Sequence, residues 1–149
     1  MTKLTVFIAF VVATASAALA GPGHEHATGV VRERMILMEK LGDHLLAITK
    51  RFRANKELDK VTGDAKAIEQ LAAQVAAKFP PGSTQAPTAA KPDVWRNWPD
   101  FEGKAKKLEV EAAKLVQTPA SDPAALRAQF RAVAFTCDGC HENYRVTKK

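Results

Sequence analysis

Ser121-Asp122-Pro123 opens the stretch whose reading decides the fold, and Cys137-Asp138-Gly139-Cys140-His141-Glu142-Asn143-Tyr144 closes it. Between them Leu126, Phe130, Val133, Cys137, Cys140 and Tyr144 step by 4, 3, 4, 3 and 4, which draws one apolar stripe down a helix. Asp122 before a proline is a helix-start signal, because a carboxylate can accept from a free first-turn amide and proline fits the first helical position. The chain's two cysteines both lie in this stripe, three residues apart.

Working back from that helix, the same spacing recurs three times. Met38, Leu41, Leu45, Ile48 and Phe52 predict a helix over residues 29 to 54, with Val31 in the same seam. His44 lies beside that stripe and reads as a boundary residue. Val61, Ala65, Ile68, Ala72, Val75 and Phe79 predict a second helix, ended by Pro80-Pro81-Gly82. Phe101, Ala105, Leu108, Ala112 and Leu115 predict a third, starting near Pro99. Residues 80 to 97 form the longest irregular segment, and no segment alternates with period two. Four helices with one narrow seam each predict an all-α, antiparallel four-helix bundle, the long segment crossing one end. Trp95 and Trp98 are expected to cap that end, rings buried and N–H groups bonded.

The 149 residues fit one domain, and 46% hydrophobic with 26% charged residues excludes a disordered tail or a multi-span membrane protein. Residues 1–20 read as a cleaved secretory signal peptide: Lys3, then an apolar run from Leu4 to Thr14, then Ala18-Leu19-Ala20 before the expected cut. That run is too short for a membrane span, which needs roughly 20 apolar residues. The domain is therefore expected over residues 21–149, exported, with no span of its own. Without Lys3 the formal charge is +5, from 21 basic and 16 acidic residues. The basic residues are scattered and form no aromatic-interleaved stripe, so nucleic acid is not an expected partner. His24 and His26 sit in an aperiodic lead-in and receive no role. No carboxylate pair in a recognisable context, Ser-His-Asp order or phosphate-binding glycine loop is present, so no enzymatic activity is expected.

The Cys137-x-x-Cys140-His141 motif admits three chemistries. A thiol–disulfide centre belongs at a helix N-terminus within a βαβ pattern, whereas this motif lies late in a helix. A tetrahedral zinc site needs a fourth ligand, and no further cysteine exists. Covalent attachment of one haem c fits: Cys137 and Cys140, one helical turn apart, form thioethers, and His141 coordinates iron on the proximal side. The small residues Ala65, Ala72, Ala105 and Ala112 would leave room inside the bundle for such a group.

An export signal, four amphipathic helices and one haem motif close to the C-terminus resemble the cytochrome c′ superfamily. Cys137 to Arg145, Lys91-Pro92-Asp93-Val94-Trp95 and Arg32-Glu33-Arg34-Met35-Ile36-Leu37-Met38 carry the likeness. The resemblance implies a periplasmic mono-haem electron carrier, often a homodimer, that serves periplasmic or membrane-bound redox proteins. It places Arg145 near the proximal face, although that arginine could instead bond the last helix carbonyls. Arg32 or Arg34 could neutralise a haem propionate from the first helix. The family divides over the distal side of the iron, which is open in high-spin cytochromes c′ and closed by a first-helix methionine in the low-spin cytochrome c-556 type. Met38 lies in the seam, with Gly42 four residues on as in that type, and is the expected distal ligand. Met35, about 60° away around the helix, is the backup. The alternative is a five-coordinate protein that binds or sequesters nitric oxide or another gas.

Overall fold

A computed structural model describes residues 26–146. The signal peptide and His24 lie outside them. The described chain forms α1 (Gly29–Ala54), α2 (Val61–Ala72), the one-turn α3 (Asp93–Arg96), α4 (Trp98–Gln117) and α5 (Pro123–Tyr144), with no β-strand among the described residues. The four long helices make an up-down-up-down bundle.

Side-chain pairs between helices record the antiparallel order. Arg51 of α1 bonds Asp64 of α2 at 2.6 Å, while at the other end Glu33 pairs with Lys78 just beyond α2 at 2.8 Å. Gln129 of α5 donates to the Glu111 carboxylate of α4 at 2.7 Å. Phe52 of α1 meets Phe130 of α5 with ring centroids 5.4 Å apart.

Helix ends follow local chemistry. Asp122 accepts from the Ala125 amide at 3.0 Å and Pro123 begins α5, as the motif predicts. Asn55 closes α1 in the left-handed region at φ 49°, and the Lys56 amide reaches back to the Arg51 carbonyl at 3.2 Å. Helix α2 stops at Ala72, seven residues before the predicted end. The amides of Gln74 and Val75 bond carbonyls three residues back, which tightens the chain into 3₁₀ turns, yet Val75 and Phe79 stay buried. The apolar stripe thus outlasts the α-helical hydrogen bonding.

The core is built from Ile48, Val61, Ile68, Val94, Leu115, Leu126 and Val133, all fully buried. Ala65, Ala72, Ala105 and Ala112 are buried too, but they stand along α2 and α4, which pack closely together. Their small size brings two helices together and does not make the space expected of them. The open space lies elsewhere, between α1 and α5.

Candidate functional site

Helices α1 and α5 touch through side chains at one end and part at the other. At the closed end Phe52 packs on Phe130, and Arg127 lies 4.7 Å over the Phe52 ring while bonding Asn55 at 3.1 Å. At the parted end a cavity of about 460 Å³ opens. Arg34, Met35, Met38 and Gly42 of α1 line one side, and Cys140, His141, Tyr144 and Arg145 line the other. The structure therefore gathers the second cysteine, the motif histidine, both candidate methionines and two candidate arginines around one space. Cys137, half-buried one turn before Cys140, packs on the core with its sulfur 3.7 Å from the Val133 carbonyl. Met38 also packs against the core cluster.

Three features test whether a large anionic macrocycle suits this space. Arg34 is 4% exposed and gives one bond, from Nη2 to the Ser83 carbonyl at 2.8 Å, while its Nε and Nη1 have no partner. Buried donors of a cation without acceptors are costly, and a carboxylate in the cavity would satisfy them. The Arg34 guanidinium otherwise lies 4.4 Å over Phe79 and 5.9 Å from the Trp95 ring centre. Gly42, mid-helix, costs about 1 kcal/mol relative to alanine, and a Cβ built there would meet no neighbour within 4 Å. Its missing side chain keeps the α1 wall low where a flat group would lie. The donor set of two thiols and an imidazole is that of a c-type attachment site. The residues fit haem c.

Electrostatics separate this site from the other two chemistries. Burial pushes the Cys137 thiol up and the Cys140 thiol up to about 11, against a usual 9.0. Both cysteines are free, and thiols held protonated late in a helix are poor redox nucleophiles. Among the described residues no three His, Cys, Asp or Glu side chains stand together as a metal site. Burial, followed by the nearby Arg145 cation, holds His141 below its ordinary value, with Asp138 opposing. That leaves a neutral imidazole nitrogen available to a metal.

The segment after α2 straps over this end. Pro87, Thr88, Ala89 and Ala90 line the cavity, and the strap is stitched to the end of α5. The Lys91 amide donates to the Tyr144 carbonyl at 2.9 Å, the Val146 amide to Ala89 at 2.8 Å, and Ala90 and Arg145 form an antiparallel bridge. The Arg145 amide caps α5 on the His141 carbonyl while its side chain borders the cavity. Arg32 is exposed and outside the cavity wall. Trp95 caps the bundle as expected, its indole N–H shared between the Phe79 and Pro80 carbonyls at 3.1 and 3.0 Å. His44 bonds Asp64 at 2.9 Å and ties α1 to α2. Sequence reasoning put Phe79 and Phe101 in apolar seams but not on the cavity wall, where both stand. It missed Ser83, the strap's links to α5 and the Tyr144–Asp100 hydrogen bond, which carry no spacing signal.

Residues 29–145 match the profile of the family described as cytochrome C′. The chain belongs to the cytochrome c′ family. A cytochrome c-556 from Agrobacterium tumefaciens (strain II Chrys) is 31% identical over 122 residues, covering 80% of this chain and 99% of that protein. A cytochrome c′ from Pararhodospirillum photometricum is also 31% identical, over 118 residues, covering 77% and 94%. The solved cytochrome c′ of Rhodopseudomonas palustris superposes with a TM-score of 0.76 at 26% identity, covering 82% of this chain and 99% of that one. Members of the cytochrome c′ family carry covalently bound haem c, and this chain has one attachment motif, so its cofactor is a single haem c. It is a mono-haem c-type cytochrome of the electron-transferring or gas-binding kind. No helix among the described residues is long and apolar enough to cross a membrane.

Proposed function

We propose that this cytochrome is a periplasmic one-electron carrier with His/Met-ligated iron, and not an enzyme. In this reading residues 1–20 are removed on export and residues 21–149 form the working domain. Cys137 and Cys140 hold the haem through thioethers, His141 binds the iron on the proximal side, and Met38 binds it on the distal side. The observation that carries the reading is that Met38, on α1, and His141, on α5, line the same cavity from its two sides. Met38 also packs on the core, which fixes its side chain.

Bound haem supplies one reversible electron. The Met38 thioether raises the potential and keeps added ligands off the iron, because an incoming molecule must displace it. Arg34 and Arg145 offer positive charge to the propionates, and the strap shields the His141 side from water. The partners are periplasmic or membrane-bound redox proteins, and a homodimer is the expected assembly. Light scattering on the eluted protein tests that assembly, and a monomer at high concentration rejects it.

A pyridine haemochrome spectrum after acid–acetone extraction tests attachment: covalent haem must remain with the protein. Ferric protein at neutral pH should be low-spin, with the weak far-red band of thioether–iron ligation. Met38→Ala should lose that band and turn high-spin, while Met35→Ala keeps it. A high-spin ferric spectrum in the unmutated protein rejects Met38 ligation and makes the five-coordinate, nitric-oxide-binding reading the better one.

A further inference from the structure

One cavity-wall residue has no part in carrying an electron between haem and partner. Tyr144 is buried, lines the cavity and is the chain's single tyrosine. Its hydroxyl donates to Asp100 Oδ2 at 2.5 Å and lies 3.5 Å from the Asn97 carbonyl. Lys104 approaches the same Asp100 oxygen at 3.9 Å. The Tyr144 ring stands edge-on to Phe101 with centroids 5.3 Å apart, and Phe101 lies 5.4 Å from Trp98. Trp98 in turn borders a surface cleft of about 590 Å³ with Trp95, Pro80 and Pro81. Packed rings therefore run without a break from the cavity wall to the surface.

A phenol that loses one electron becomes a strong acid, and a buried radical cation would be costly to leave charged. Oxidation is feasible where a proton acceptor already holds the hydroxyl, as Asp100 does. We propose that Tyr144, with Asp100 as its proton acceptor, is a redox-active tyrosine that drains oxidising equivalents from the haem site toward Trp98 when a peroxide reacts there. Starting from ferrous protein, hydrogen peroxide takes two electrons and two solvent protons and leaves as two waters. Bound ferrous haem would supply one of those electrons. Tyr144 supplies the other, and its phenolic proton passes to Asp100 Oδ2, leaving a neutral tyrosyl radical. Trp98 then gives Tyr144 an electron across the Phe101 ring, and the proton returns from Asp100.

The inference rests on haem c occupying the cavity as described above. Ferrous holoprotein, its covalent haem first verified as the pyridine haemochrome, is mixed with hydrogen peroxide, freeze-quenched and read by electron paramagnetic resonance. A tyrosyl signal is expected, and with one tyrosine in the chain its assignment is unambiguous. Tyr144→Phe should abolish it and lower oxidation of Trp98 in peptide mass spectra. Asp100→Asn should reduce it several-fold with the haem spectrum unchanged. Met38→Ala is run in parallel, so that slow access of peroxide to the iron is separated from a silent tyrosine. Peroxide consumed by haem-loaded Met38→Ala protein without a tyrosyl signal overturns the proposal, as does an equal yield in Asp100→Asn. Protein without covalent haem overturns the electron-carrier reading instead, before any peroxide is added.

Discussion

Arg34 is where one charge has most leverage. Its guanidinium is buried beside the cavity, and burial holds its pKa below the ordinary arginine value, yet arginine stays protonated. A cation there disfavours the more positive ferric state. Arg34→Met should therefore lower the reduction potential by tens of millivolts, of the order of 1 kcal/mol, in a redox titration; an unchanged potential would show that the charge is fully screened. Tyr144 gives a pH prediction. Burial, then the hydrogen bond to Asp100, raises its pKa from 10.0 to about 12. The unfolded chain thus releases the phenolic proton first, so this group's contribution to stability is full below about pH 10 and is lost as pH rises through about 12. Phenolate absorbance from the single tyrosine should follow that higher midpoint, and Tyr144→Phe should flatten the stability profile in the same window. At this scale the placement of Cys137, Cys140 and His141 was legible because Cys140 and His141 each lie about one turn beyond Cys137, and the inward placement of Met38 because it falls in an apolar seam. Ser83 and Asp100 were not, since each meets its partner across more than 40 residues of chain, and no periodicity encodes such a contact.

Helices were read best where side chains do the work of starting or stopping them. Asp122 and Pro123 mark the start of α5 in sequence and in structure alike. Asp122→Ala should cost about 1 kcal/mol in thermal or denaturant unfolding and leave the haem spectrum alone, because the attachment motif lies at the far end of α5. A shifted spectrum would mean that the first turn of α5 also positions the site. The end of α2 was misplaced because an apolar stripe persists through 3₁₀ turns, which keep roughly the same face inward. That the segment after α2 crosses an end of the bundle was readable, but its seam with α5 was hidden for another reason. Its links to the end of α5 run mostly through backbone amides and carbonyls, which every residue type supplies alike.

The whole bundle is asymmetric, with α1 and α5 in contact at Phe52–Phe130 and parted where Met38 and His141 line one cavity. The alanines draw α2 and α4 together instead of making internal space, leaving the opening to the pair of helices that carries Met38 and His141. Mechanically this is a pair of tongs. The two helices touch at an aromatic contact, and from Phe52 to Met38 α1 runs about 21 Å at 1.5 Å per residue. On a lever of that length a small loosening at the aromatic contact would become a larger swing at the tips, so under the proposed ligation the grip on the iron would be set partly by a contact far from it. Phe52→Leu should keep the ligand set and spectrum of the resting protein yet speed the displacement of Met38 by added imidazole in stopped-flow mixing. If that rate stays fixed while the protein merely melts earlier, the arms bend independently of their pivot. If it rises, ligand release in this cytochrome is governed by leverage, and its tempo can be tuned without touching the haem's surroundings.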